Sequence, residues 1–158
     1  MKEIKTNAMR TLEKEKIAYK HYEYDPEVTD GVSVAQLMGQ DKNRVFKTLV
    51  TVSAKGINYV FVVPVGETLD LKKAAKCVGE KSVAMIKQKE LLPLTGYVHG
   101  GCSPIGMKKL FRTVIHNTAK NYDTICVSAG KKGNQIELSP VSLAKAVNAE
   151  FSDIVTDN

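Results

Sequence analysis

Two stretches of this chain carry residue types suited to chemistry, RVFKTLVTVS (44–53) and GYVHGGCSPIG (96–106). In the first, a strand's period of two puts Val45, Lys47, Leu49 and Thr51 on one face. Phe46, Thr48, Val50 and Val52 share the other. Lys47 thus stands between apolar neighbours, where lysine is rare without a partner. It is either a lysine snorkelling from a sheet edge or a cation held beside a pocket. In a partly desolvated pocket, one charge-assisted hydrogen bond to an anionic or carbonyl group is worth about 1.5–3 kcal/mol.

The second stretch packs four glycines, a proline, a histidine and a cysteine into eleven positions. Gly100 and Gly101 lack a Cβ, so their backbone can approach a ligand and donate N–H groups to a developing oxyanion. The same pair also suits a plain bulge or loop. No glycine-lysine-hydroxyl ending follows, so this is not a Walker phosphate loop. Cys102 is a nucleophile only if a base or positive field activates it, and a small buried thiol is the stronger reading. His21, His99 and His116 are dispersed, and with Cys77, Cys102 and Cys126 they form no metal-ligand spacing. No metal and no cofactor is therefore expected. Tyr22 and Tyr24 share a strand face, as core residues or as a pocket wall. Ser128 and the loop GKKGNQ (130–135) offer hydroxyl and backbone contacts, or close a hairpin.

These residues need elements to hold them. Ile4, Ala8 and Leu12 fit one helical face. YKHYEYDP (19–26) reads as a strand stopped by Pro26. Residues 33–38 suit a short helix closed by Gly39. Residues 45–53 and 58–65 form two strands of a hairpin. Asp70 caps a helix with apolar Leu71, Ala74, Ala75 and Val78, ended by Gly79. Residues 87–92 suit a further short helix, and strands are expected at 96–99, 113–116, 124–128 and IEL (136–138). Ser139 and Pro140 open a last helix that places Leu143, Ala144, Val147 and Phe151 on one face. The sum is a mixed α/β fold: a curved, barrel-like mixed sheet with helices packed outside and no regular βαβ repeat.

The 158 residues suit one domain, 1–158. No apolar run reaches membrane-spanning length, the first residues lack a secretory h-region, and three unpaired cysteines argue against a disulfide framework. Together these point to the cytoplasm and away from membranes. The formal charge of +6 gathers in lysine clusters at 72–76, 108–112 and 131–132. That is a solvated basic surface or a footprint for a polyanion such as nucleic acid.

The residues 22–26, the strand VFKTLV, the apolar strand before LDLKKAAK, GYVHGGCSPIG and SAGKKGNQIELSP occur in this order over nearly the whole chain. In that set the chain resembles the YbaK/ProX family of aminoacyl-tRNA deacylases. The resemblance implies a barrel-like editing domain that removes a wrong amino acid from tRNA, most typically cysteine from Cys-tRNA(Pro). It implies Lys47 and Gly100 as catalytic residues, and Tyr22, Thr48, Gly101, Ser128 and Gln135 as substrate-binding residues. It further implies that the substrate's own thiol attacks its carbonyl while the protein positions it. The alternatives are an Ala-tRNA(Pro) deacylase using water, or a non-catalytic tRNA-end binding accessory of prolyl-tRNA synthetase. The implied partners are tRNA(Pro) and prolyl-tRNA synthetase. Gln135 departs from relatives that carry aspartate there; an amide hydrogen-bonds but is no base. Glu137 lies two residues on, on the same face.

Overall fold

The computed structural model describes residues 5–157. Ile4 lies outside them. Among the described residues there are five α-helices and eight strands in two sheets. The helices are α1 (Asn7–Lys14), α2 (Gly31–Leu37), α3 (Leu71–Cys77), α4 (Gln88–Thr95) and α5 (Pro140–Val147). The strands are β1 (Lys20–Glu23), β2 (Phe46–Ser53), β3 (Asn58–Pro64), β4 (Val83–Met85), β5 (Arg112–His116), β6 (Ile125–Lys131), β7 (Asn134–Leu138) and β8 (Glu150–Ser152).

The larger sheet runs β4-β2-β3-β5-β8 and the smaller β1-β7-β6. In the larger, β4, β2 and β3 are antiparallel, whereas β3, β5 and β8 are parallel. The expected mixed, curved layer is therefore built as two sheets, which meet through an isolated bridge between Val45 and Cys126. The main core lies between them. Phe46, Val50, Val60, Val62 and Ile115 from one sheet meet Ile125, Val127, Ile136 and Leu138 from the other. Helices α1 and α5 add Ala8, Met9, Leu12, Leu143 and Val147. On the outer face of the larger sheet, Tyr59, Phe61, Val63 and Val114 pack on Ala74, Ala75 and Val78 around α3. β3 is thus covered on both faces, which explains its unbroken apolar run. Each fully buried Val or Phe there contributes about 1.5–3 kcal/mol.

Local chemistry sets the helix starts. Thr6, Asp30, Asp70 and Ser139 each accept a backbone N–H as N-caps, and Pro140 follows its cap as the first helical residue. Two expectations fail. Residues 96–99 are not a strand: α4 runs on through Pro93, Gly96 ends it at φ +87°, and a turn follows. Phe151 is not on α5, because Asn148 closes that helix at φ +54° and the chain leaves as β8. The strand β4 was not anticipated, because its three residues are too few to show a period.

Candidate functional site

The site begins at an edge of β2 that has no complete neighbour. β4 pairs with β2 at Thr51–Ser53, and β6 reaches it at Val45 through Cys126. Between these points, no strand partner covers residues 46–50 on that edge among the described residues. Main-chain direction along the edge follows from two bonds. The N–H of Val65, just past β3, donates to the Val45 carbonyl, while the N–H of Ile86, just past β4, donates to the Val50 carbonyl. Because direction alternates along an antiparallel strand, Phe46, Thr48 and Val50 turn their main-chain N–H and C=O groups to this edge, where Ile86 already takes the Val50 carbonyl.

A cavity of about 340 Å³ fills this gap. Its floor is Val45 and residues 46–50 of β2. One wall is Thr29, Gly31 and Val34 at the start of α2; another is Met85, Ile86, Gln88 and Leu91. The smaller sheet supplies Ser128 and Gln135, and the glycine-rich loop supplies His99, Gly100 and Cys102. Both Lys47 and Thr48 line the cavity although they belong to opposite faces of the strand. An open edge makes that possible, since a cavity beside a strand is reached from either face.

Lys47 is partly buried and makes no hydrogen bond or ion pair among the described residues. Burial pushes its pKa below the ordinary lysine value, and the charge of Asp30 opposes that shift. Asp30 is fixed as the cap of α2, accepting from the N–H and hydroxyl of Ser33 at 3.1 and 2.9 Å. Gly100 sits at φ +86° in a turn closed by the Gly101 N–H donating to the Val98 carbonyl at 3.0 Å. That is the third position of a type II turn, which favours glycine. Two buried side-chain oxygens of residues that line the cavity, Thr48 Oγ1 and Gln135 Oε1, lack a hydrogen-bond partner among the described residues. The hydroxyl of Ser128 accepts from the Gly130 N–H at 3.1 Å.

Of the residues expected here, Lys47, Thr48, Gly100, Ser128 and Gln135 converge on the cavity. Tyr22 and Gly101 do not line it. Tyr22 lies opposite Gln135 in the β1–β7 ladder, and its hydroxyl donates to Glu137 Oε1 at 2.6 Å. Glu137 also accepts from Thr124 and Arg44, so Tyr22 belongs to a polar brace behind the cavity. Gly101 is buried against the Lys131–Lys132 backbone, where a Cβ would come within 3.0 Å of the Lys132 nitrogen. Its lack of a side chain serves packing.

Tyr24, offered with Tyr22 as core or pocket wall, does line the cavity. Sequence reasoning missed Thr29 and Gly31. Nothing local marked Thr29 or Gly31, which a non-local contact brings in: a Cβ on Gly31 would lie 2.6 Å from Val65. Cys102 lines the cavity, but burial pushes its thiol pKa up to about 12. A thiol held protonated is a poor nucleophile. Among the described residues, no three His, Cys, Asp or Glu side chains are grouped to hold a metal.

The family model for the aminoacyl-tRNA editing domain matches residues 25–146. The chain belongs to the aminoacyl-tRNA editing domain family. The matched span carries every cavity residue named above except Tyr24, one position before its start. A protein of Enterococcus faecalis named "Putative Cys-tRNA(Pro)/Cys-tRNA(Cys) deacylase EbsC" is 49% identical over 154 residues, covering 96% of this chain and 94% of that one. The fold of the editing domain also recurs in solved structures. One described as a "putative trans-editing enzyme for prolyl tRNA synthetase" superposes with TM-score 0.87 at 24% identity, over 98% of this chain and 100% of that one. Another, the hypothetical protein APE2540, gives TM-score 0.88 at 20% identity, over 96% and 100%.

Proposed function

We propose that this editing domain is a trans-acting aminoacyl-tRNA deacylase that releases cysteine from mischarged Cys-tRNA(Pro), and that the whole chain, 1–158, acts as one domain. The observation that carries the reading is an unpaired, partly desolvated lysine in a cavity without an activated nucleophile. Lys47 meets the ester carbonyl and stabilises the charge that develops on its oxygen. The Gly100 turn brings backbone close to the same acyl group. Cys102 stays a protonated thiol and lines the wall. The substrate therefore supplies the nucleophile: its thiol sulfur bonds its own carbonyl carbon as the bond to the ribose oxygen breaks. The thiol proton ends on that oxygen, and water opens the resulting thiolactone to free cysteine. A tRNA ester is already a good acyl donor, so positioning does most of the work.

The name borne by the 49% identical relative supports cysteine as the acyl group. Three free cysteines fit a cytoplasmic setting, where thiols stay reduced. Prolyl-tRNA synthetase is the protein partner this reading favours, as the source of the mischarged tRNA. Deacylation of purified Cys-tRNA(Pro) and Ala-tRNA(Pro) tests the proposal. Rapid loss of cysteine with slow loss of alanine is expected. Retained tRNA binding with no turnover of either substrate would leave a binding module instead.

A further inference from the structure

One side of the cavity mouth joins the end of β1, the β6–β7 turn and the glycine-rich loop. The N–H of Tyr24, just past β1, donates to the Gly133 carbonyl at 2.9 Å and ties that end to the turn. The turn is held on its other side as well: a Cβ on Gly101 would come within 3.0 Å of the Lys132 nitrogen. A Cβ on Gly100 would lie 3.5 Å from Cε of Lys132, so the lysine stem runs beside the Gly100 turn. Lys131 and Lys132 are exposed, and neither ammonium group has a partner among the described residues. Among the described residues two aromatic rings line the cavity, Tyr24 and Phe46. Phe46 is 1% exposed and belongs to the core, whereas Tyr24 is partly exposed. The Tyr24 hydroxyl has no hydrogen-bond partner among the described residues.

An aromatic ring with cations beside it suits single-stranded nucleic acid: a base stacks on the ring and the cations follow the phosphates. The deacylase reading, on which this inference rests, puts an ester in the cavity whose leaving side is the ribose of the last nucleotide. The acyl group lies inside, beside the Gly100 turn, so that nucleotide lies at the rim. From Gly100 the rim continues through Lys132 and Gly133 to Tyr24. The wall of Met85, Ile86, Gln88 and Leu91 offers neither ring nor charge. We propose that Tyr24 stacks on the terminal base of the tRNA and that Lys131 and Lys132 take the phosphates that precede it. Tyr24 is then a positioning residue, which fixes the ribose and through it the ester carbonyl against Lys47. Stacking uses the face of a base and not its edge, so this contact sets the register of the 3′ end without reading tRNA identity.

The test compares Cys-tRNA(Pro) with the same cysteinyl-tRNA carrying an abasic ribose as its last residue, which keeps the ester, the ribose and the phosphates. Without the base, the wild-type protein is expected to lose about ten- to a hundredfold in kcat/KM, the range of base–aromatic stacking. Tyr24→Leu shrinks that ratio by slowing only the substrate that has the base, and Tyr24→Phe restores it, with thermal melts confirming the fold. Lys131→Ala and Lys132→Ala keep the ratio, and each flattens the fall of log kcat/KM with log salt by about 0.7, the value of one single-strand phosphate contact. Equal wild-type rates on the two substrates, or a full ratio in folded Tyr24→Leu, would overturn the stacking. An unchanged salt slope in both lysine variants would overturn the phosphate contacts. The deacylase reading stands in each of these cases. A wild-type protein that releases cysteine from neither substrate would overturn both.

Discussion

Lys47 decides the account at the scale of single residues. Desolvation lowers its pKa, so the folded protein binds this proton less tightly than the unfolded chain. The burial penalty is therefore present below the folded pKa and fades as pH rises through it toward the ordinary lysine value. Lys47→Met is expected to raise the melting temperature at neutral pH while lowering deacylation by about a hundredfold or more, the scale of a lost oxyanion contact. Single-turnover assays and thermal melts on the same sample check both halves. The pH profile follows from the same shift. After subtraction of spontaneous ester hydrolysis, enzymatic turnover should fall at a pH below the ordinary lysine range, and Lys47→Arg should move that limb upward. Cys102→Ser should keep most activity, since a protonated wall thiol does no chemistry; a dead but folded variant would restore it as nucleophile.

At the scale of elements, the smaller sheet must be held against β2 for Ser128 and Gln135 to reach the cavity. The brace around Glu137 does this. It accepts hydrogen bonds from Thr124, on the approach to β6, and from Tyr22 of β1, and it pairs with Arg44 at 3.5 Å. The Thr124 bond, the largest cause, and the Tyr22 bond hold its pKa below the ordinary carboxylate value. The stabilisation is thus full above the unfolded carboxylate pKa and is lost as pH falls through the folded one. Glu137→Gln should cost about 1.5–3 kcal/mol at neutral pH, with the gap to wild type closing in acid; urea titrations at several pH values measure it. Much at this scale was legible, because caps and apolar periods are local: Asp70 before α3, Ser139–Pro140 before α5, the β2–β3 hairpin. The failures were non-local. Phe151 continued the period of α5 but left it at Asn148, and the glycine-rich segment 96–99 mimicked a strand where the chain only turns.

At the scale of the molecule, the cavity exists because two sheets share the edge of β2 without covering it. No sequence window contains that gap, which is why Lys47 and Thr48 could be singled out but Thr29, Gly31 and Gln88 could not. The basic surface is partly committed to the fold: Lys73 binds Asp153 and Asp157 at 3.0 and 2.8 Å, so the 72–76 cluster is less free than its charge count suggests. Lys131 and Lys132 are exposed beside Gly100 and Gly101. With a formal charge of +6, tRNA capture should be salt-dependent. Raising salt from about 50 to about 200 mM should lower kcat/KM on aminoacyl-tRNA about tenfold or more and leave kcat little changed. The most direct test of the central claim, a positioning site whose substrate brings its own nucleophile, compares Cys-tRNA(Pro) with Ser-tRNA(Pro), which differ by sulfur for oxygen. Cysteine should be released about a hundredfold faster than serine, because the thiol is the stronger nucleophile. Equal rates would mean that water or a protein group attacks both esters, and would contradict the account.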